Sequence, residues 1–361
     1  MGTLAKRAEG WLRRCVLWLL SRRAGRPGGG SISTLPSTPS ILLVRPDRIG
    51  DAIITTASIQ LVRQRFPNAT IGLLLGAKNA AVAELIPDIN RTHVVPVSAV
   101  GTWKVMRAIR RTRYDFAINL VANDSASAAA LTALSGAVWK IGFAGKSSTL
   151  YDAAIPRAAG PIHIVRETSL LLAPLGISPI GPQPLHNGQR LRIRLNQEAE
   201  ASGTVVLNIS GSEPAKYWGT KNFTALCGLL RQRGVAVAVA CKPGDEAFAE
   251  QIVAGSGAQL IAPTRSFAQF AERLSGAAVI ATPDTSIVHL SAALGKPTVV
   301  IAAHARSIEA WQPWGVPFRV VDGDGELTMI AAERVLAAIL ELLPPPAQST
   351  EPIAKQESPT P

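Results

Sequence analysis

The sequence predicts an α/β protein made of two doubly wound halves, and three observations carry that expectation. Short unbroken runs of Val, Ile, Leu and Ala alternate with longer amphipathic segments along most of the chain. Runs of that kind mark parallel strands covered on both faces, since a face meeting water would show as alternation. The same order occurs twice, on either side of a stretch (residues 176–190) that carries Pro179, Pro182, Pro184 and Gly188. At 361 residues there is room for two ordinary domains, and 47% hydrophobic against 17% charged residues supplies a core for each.

In the first half, strands are expected at 40–44, 70–75, 92–96, 115–120 and 138–142. The 3.6-residue pattern puts helices between them at 52–65, 77–85, 103–111 and 125–134. In the second half, strands fall at 205–209, 236–240, 259–261, 277–281 and 298–302. Helices follow at 221–233, 246–254, 267–274 and 287–294. A last helix, 327–342, stops before Pro344, Pro345 and Pro346, and the polar tail beyond is expected to be disordered. The chain thus divides into a leader and linker (1–39), a first domain (40–185), a second domain (186–343) and a tail (344–361).

The formal net charge is +12, and half of that excess sits in the first 29 residues. Lys6, Arg7, Arg13, Arg14, Arg22, Arg23 and Arg26 face one acid, Glu9, and the arginines flank Trp11, Leu12, Trp18 and Leu19. The apolar run 15–20 is far too short to span a bilayer, which takes about 20 residues. The pattern fits a helix lying in an anionic lipid interface, against the plainer reading of a basic, disordered start. Nothing resembles a zinc finger or a basic strip interleaved with stacking aromatics, so no nucleic-acid partner is expected. Cys15, Cys227 and Cys241 are too few and scattered for a disulfide framework or a metal knuckle, which fits a reducing, cytoplasmic setting.

In doubly wound sheets ligands bind beyond the carboxyl ends of the strands, so the turns there hold the informative residues. The first, 45–51, packs Arg45, Asp47, Arg48 and Asp51 around Gly50. Asp51 is either the N-cap of the next helix or a general base for an acceptor hydroxyl. The turn 210–218 combines small residues with Lys216, suited to a diphosphate, or is an ordinary exposed loop. At 242–246, Asp245 and Glu246 are candidates for ribose contact, with helix capping an equal explanation. The turn 282–286 opens a helix whose free N–H groups form an anion site. Asp284 is its alternative cap, and His289, one turn in, faces either the cleft or the core.

Together these turns resemble glycosyltransferase family 9, the lipopolysaccharide heptosyltransferases and their relatives. The resemblance rests on the run Arg45 to Asp51, on Gly211, Ser212, Lys216, Tyr217 and Trp218, and on Asp284 through Pro297. A later segment, Trp311 to Gly315, also agrees, and coverage runs from about residue 41 to 342. The resemblance implies a GT-B fold, with the acceptor on the first domain and a nucleotide-sugar donor on the second. It further implies an inverting, metal-independent mechanism with no cofactor. In it Asp51 is the base, Lys216 binds phosphate, Asp284, Thr285 and Ser286 form the donor turn with His289, and Arg45 and Arg48 stand on the acceptor side. The expected acceptor is a lipid-linked glycan at the inner face of the cytoplasmic membrane, reached through residues 1–29.

Two departures bear on the sugar and acceptor rather than on transfer. Arg45, Pro46, Asp47 and Arg48 replace a Lys-x-Ser-Ser run, and Ser286 replaces a glycine. Competing readings are a Rossmann-type oxidoreductase, which lacks Gly-x-Gly-x-x-Gly after its first strand, and an inactive nucleotide-sugar-binding protein.

Overall fold

The computed structural model describes residues 35–181 and 190–344. The expected membrane leader (1–29), most of the linker and the tail from 345 lie outside the described residues, as do 182–189.

The first sheet contains β1 (Ser40–Val44), β2 (Thr70–Gly76), β3 (Arg91–Val95), β4 (Phe116–Asn119), β5 (Trp139–Phe143) and β6 (Ala153–Ile155). All are parallel, in the order β3-β2-β1-β4-β5-β6. The second contains β7 (Val205–Asn208), β8 (Val237–Ala240), β9 (Gln259–Leu260), β10 (Val279–Pro283), β11 (Thr298–Ala302) and β12 (Phe318–Asp322), ordered β12-β11-β10-β7-β8-β9. Each is the same doubly wound sheet, in which strand order reverses beside the first strand. The reversal leaves a crevice at the strand ends between β1 and β4, and another between β7 and β10.

Helices fill the connections: α1 (Ile49–Arg65), α2 (Ala99–Thr112), α3 (Ala126–Leu134), α4 (Ile164–Ser169), α5 (Thr220–Gln232), α6 (Glu246–Ser256), α7 (Phe267–Leu274), α8 (Ser286–Ala293) and α9 (Ala332–Leu342). In α1 every residue from Gly50 to Val62 is buried. A helix covered all round belongs between layers rather than on a surface. It lies on the first sheet, and its neighbours include α4 and, from the second half, α8. Its polar residues bond inward: Thr55 Oγ1 donates to the Asp51 carbonyl, and Gln60 Nε2 donates to the carbonyls of Thr56 and Arg190. Arg192 and Arg194 likewise bond Thr56 and Leu85 through their N–H groups, so the chain still follows the first half there.

Four expectations differ from what is observed. Each sheet has a sixth strand, β6 and β12. Both are edge strands, and β6 is only three residues long while β12 is half-exposed, with Arg319 paired to Glu341 at 2.6 Å. Such edges lack the continuous apolar run that marks a central strand. The helix expected at 77–85 is a 3-10 segment, Ala80–Leu85, because Asn79 turns inward. Its Oδ1 accepts from the Gly76 N–H at 2.8 Å and its Nδ2 donates to the Arg45 carbonyl at 2.8 Å. The last helix is split, since the Ile330 carbonyl accepts from Trp218 Nε1 at 2.9 Å and α9 starts only at Ala332.

Candidate functional site

β1 ends at Val44 and hands the chain directly to Arg45, whose side chain is 1% exposed. Its Nη2 donates to Asp51 Oδ1 at 2.7 Å and its Nε to the Asp51 carbonyl at 3.2 Å, while Nη1 donates to the Leu120 carbonyl. Nε also lies 3.3 Å from Asp47 Oδ1. A buried guanidinium is stable only with its donors and charge matched, and the two carboxylates match it. Burial, and next the neighbouring Asp51, push the Asp47 carboxyl up, while Arg45 works against them. Asn79 holds the turn's backbone from below, donating to the carbonyls of Arg45 and Arg48.

The capping explanation of Asp51 does not hold. The helix begins at Ile49 with Arg48 at the cap position, and Asp51 is its third residue, gripped by Arg45. Arg45 itself is too deeply buried to touch an acceptor, and it orients Asp51 instead. Arg48 is exposed.

Across the crevice, β7 leads into the turn carrying Gly211 and Lys216. A β-carbon on Gly211 would stand 2.6 Å from the Lys216 carbonyl, so only glycine lets this turn close. Lys216 Nζ donates to Asp284 Oδ2 at 2.7 Å and to the Asp284 carbonyl at 3.1 Å, tying the β7 turn to the β10 turn. Asp284 therefore does not cap α8. That role belongs to Thr285, whose Oγ1 accepts from the Ile287 N–H. Asn208 Nδ2 donates to Thr282 Oγ1 at 2.9 Å, and that hydroxyl lies 3.2 Å from Thr285 Oγ1. Ser286 opens α8 with its backbone N–H among the helix's unpaired donors.

His289 lies between the halves, buried, with Nδ1 lacking a hydrogen-bond partner and its ring 6.2 Å from that of Trp311. Burial holds its pKa down at about 4, with the Asp284 charge opposing and Arg45 assisting, so the ring is neutral at pH 7. A β-carbon on Gly50 would meet His289 Cδ2 at 2.6 Å and the Ser286 Cα at 3.3 Å. The amino ends of α1 and α8 thus touch through a glycine, with Asp51 on one side and the Lys216–Asp284 pair on the other.

The turn at 242–246 is bonded to the turn that carries Gly211 and Lys216. Asp245 occupies the cap position of α6 without making a cap bond; its Oδ2 accepts from the Tyr217 hydroxyl at 2.8 Å. That hydroxyl accepts in turn from Lys242 Nζ at 2.7 Å, and Nζ also donates to the Gly211 carbonyl. Glu246 Oε2 accepts from the Gly244 N–H. Sequence reasoning overlooked Lys242, Tyr217 and Asn79 as parts of the site. Lys242 opens a strand-end turn beside two acids, which was a usable signal, whereas Asn79 had none. Among the described residues no group of three or more His, Cys, Asp or Glu is placed to hold a metal ion.

Two parallel six-stranded sheets of one winding, with their strand-end turns meeting across a cleft, define the GT-B class of nucleotide-sugar transferases. Glycosyltransferase family 9 (heptosyltransferase) matches residues 102–326, and the chain belongs to that family. It is 25% identical to lipopolysaccharide heptosyltransferase 3 of Escherichia coli, over 84% of this chain and 97% of the relative. It is 20% identical to lipooligosaccharide heptosyltransferase 2 of Haemophilus ducreyi, over 78% and 89%. The solved structure of E. coli heptosyltransferase WaaC with ADP-2-deoxy-2-fluoro heptose superimposes with a TM-score of 0.70 at 22% identity, covering 84% of this chain and 99% of that one. A family 9 glycosyl transferase from Veillonella parvula gives 0.71 at 16% identity, covering 84% and 97%.

Proposed function

We propose that this glycosyltransferase moves a heptose-like sugar from a nucleoside-diphosphate donor, such as ADP-heptose, onto a lipopolysaccharide-core or other cell-envelope glycan. The observation that carries the reading is that Asp51, clamped by Arg45, and the turn in which Lys216 holds Asp284 stand on either side of the close approach of Gly50 to Ser286 and His289. Asp51 accepts the proton of the acceptor hydroxyl, whose oxygen attacks the anomeric carbon from the face opposite the nucleotide, inverting that centre. The bond to the diphosphate oxygen breaks, and the departing charge is met by Lys216 and the N–H groups at the start of α8. Arg45 holds Asp51 in place through its Nη2 and Nε donors and so aims the carboxylate. The donor lies on the second half, residues 186–343, with Asp284, Thr285, Ser286 and His289 around its phosphates. Asp245 and Glu246 stand nearest its nucleoside. The first half, residues 40–185, takes the acceptor, with Arg48 at the rim.

The cationic groups make a divalent metal unnecessary. The enzyme works at the cytoplasmic face of the membrane, with the basic leader as one anchor. The names of the relatives support heptose and a lipopolysaccharide acceptor. Incubating the purified chain with ADP-heptose and a heptose-deficient core glycan should yield ADP and a glycan heavier by one sugar, equally in excess EDTA. Loss of transfer in EDTA with recovery on Mg²⁺ would overturn the mechanism, and no ADP release would overturn the function.

A further inference from the structure

α2 presents an unusual outer face. Val100, Trp103, Lys104, Arg107 and Arg111 fall at helical spacings of three and four residues, which places them on one side. Met106 and Ile109 on the opposite side are buried against the sheet. Val97, in the approach to the helix, is 95% exposed, Val100 67% and Trp103 60%. Single exposed apolar residues are ordinary, but three adjacent ones including a tryptophan form a patch. The charge around them has one sign. No carboxylate side chain occurs between Asp88 and Asp115, while Lys104, Arg107 and Arg111 share the face and Arg107 lies over the Trp103 ring at 5.4 Å.

The patch has a definite place in the fold. All strands of the first sheet are parallel, so the β3–α2 approach and the turn carrying Asp51 leave the same edge of the sheet. Only β2 separates β3 from β1, which puts the two connections about 10 Å apart across the sheet. We infer that Val97, Val100 and Trp103, with Lys104, Arg107 and Arg111, dock on an anionic lipid bilayer and hold the acceptor side of the cleft against the membrane surface.

The chemistry selects that occupant. Exposed aliphatic groups with a tryptophan suit the boundary between acyl chains and headgroups, and a ring of cations without acids suits anionic headgroups. Residues 1–29 of this chain are an unsuitable cover, since they carry a net charge of +6 and would be repelled. The docking does not depend on transfer, although its use rests on the proposed lipid-linked acceptor.

The test is co-sedimentation of the full chain with phosphatidylcholine vesicles, with and without phosphatidylglycerol. A chain with Arg13→Ser, Arg14→Ser, Arg22→Ser and Arg23→Ser is the reference that lowers the leader's net charge from +6 to +2. In both backgrounds Val100→Ser with Trp103→Ser should lower binding to anionic vesicles about tenfold. Lys104→Glu, Arg107→Glu and Arg111→Glu together should lower it by roughly a hundredfold or more, because each basic residue near such a surface contributes about a fivefold preference. Melting temperature should not change, as these side chains are exposed. Hydrogen exchange of residues 97–107 should slow on anionic vesicles only. Transfer to a lipid-free core glycan should stay normal in the α2 variants, and transfer to the vesicle-borne acceptor should fall. Wild-type vesicle binding by the α2 variants would overturn the inference, as would complete loss of binding in the reference chain. A concentration-dependent dimer abolished by Trp103→Ser, with vesicle binding intact, would make the patch a self-association surface instead. Absence of transfer to any acceptor by the wild type would refute the proposed function and leave vesicle binding to be judged alone.

Discussion

Gly50 and His289 meet so closely that a β-carbon on the glycine would lie 2.6 Å from the histidine ring. The two helices reach this distance only because the second residue of α1 lacks a side chain. Gly50→Ala should therefore keep each half folded, since alanine favours a helix by about 1 kcal/mol over glycine. The halves must separate by most of an ångström or the ring must turn. Turnover should fall at least about tenfold, because misplacing reacting groups by even that much is costly. His289→Ala in the same chain should recover part of the loss, with the remainder due to the Ser286 backbone at 3.3 Å. Normal turnover in Gly50→Ala would mean that this contact is not the working geometry.

Lys216 is held by Asp284 at 2.7 Å, and a bound diphosphate would share it. Lys216→Ala should weaken binding of a nucleoside diphosphate by roughly tenfold to a hundredfold, the range of a charge-assisted contact of about 1.5–3 kcal/mol. Binding of the bare nucleoside should hardly change. Calorimetric titration of both ligands checks this, and equal losses would reduce Lys216 to a staple between two turns.

The strand-end turns were legible because a turn after a buried strand is a local feature, and Lys216, Asp284 and Asp51 stand in such turns. What joins them was not. Arg45 reads in sequence as one more cation beside a cleft. Its burial follows from the Leu120 carbonyl, 75 positions further along the chain, which β4 brings alongside. Thr285 rather than Asp284 caps α8 because Lys216, 68 residues earlier, claims the aspartate. Asn79 hides in a segment patterned like a helix, and the edge strands β6 and β12 lack the apolar run that made the central strands visible. Local pattern gave the sheets and their turns, and long-range pairing decided which residue does what.

Two histidines should make stability fall in mild acid. Burial is the main cause holding both His289 and His163 at about 4. His163 has both nitrogens engaged: Nδ1 accepts from the Val165 N–H and Nε2 donates to the Gln312 carbonyl, which fixes a neutral tautomer. In the unfolded chain they titrate near 6.5, so below that the unfolded state binds more protons. Stability should thus decline as pH falls from about 6.5 to about 4, by several kcal/mol in total at about 1.4 kcal/mol per pKa unit. Asp47, shifted upward, works in the opposite direction and offsets part of the loss. Thermal melts at pH 7.5 and 5 should show the drop, and His289→Gln should make it smaller. A melting temperature equal at the two pH values would refute neutral burial of these rings.

Asp51 is where structure sharpens the test most. Arg48, not Asp51, is at the helix cap, so capping by asparagine would not account for a silent Asp51→Asn variant. Asparagine keeps an oxygen for Arg45 Nη2 but loses the charge, and Asp47 at 3.3 Å remains to balance the guanidinium. The stability cost should be about 1–3 kcal/mol, the range for weakening a bond to a charged group. If Asp51 takes the acceptor's proton, the rate should fall by roughly 10²–10⁴-fold while donor affinity holds, since the other half binds the nucleotide. Asp47→Asn is the matched control. It removes the other carboxylate beside Arg45 and should cost no more stability, yet its turnover should stay within a few-fold of normal. A slow Asp51→Asn enzyme beside an active Asp47→Asn enzyme would assign the proton to Asp51. Near-normal turnover in Asp51→Asn would remove the base, and comparable losses in both variants would mean that charge balance around Arg45, not proton transfer, is what the turn supplies.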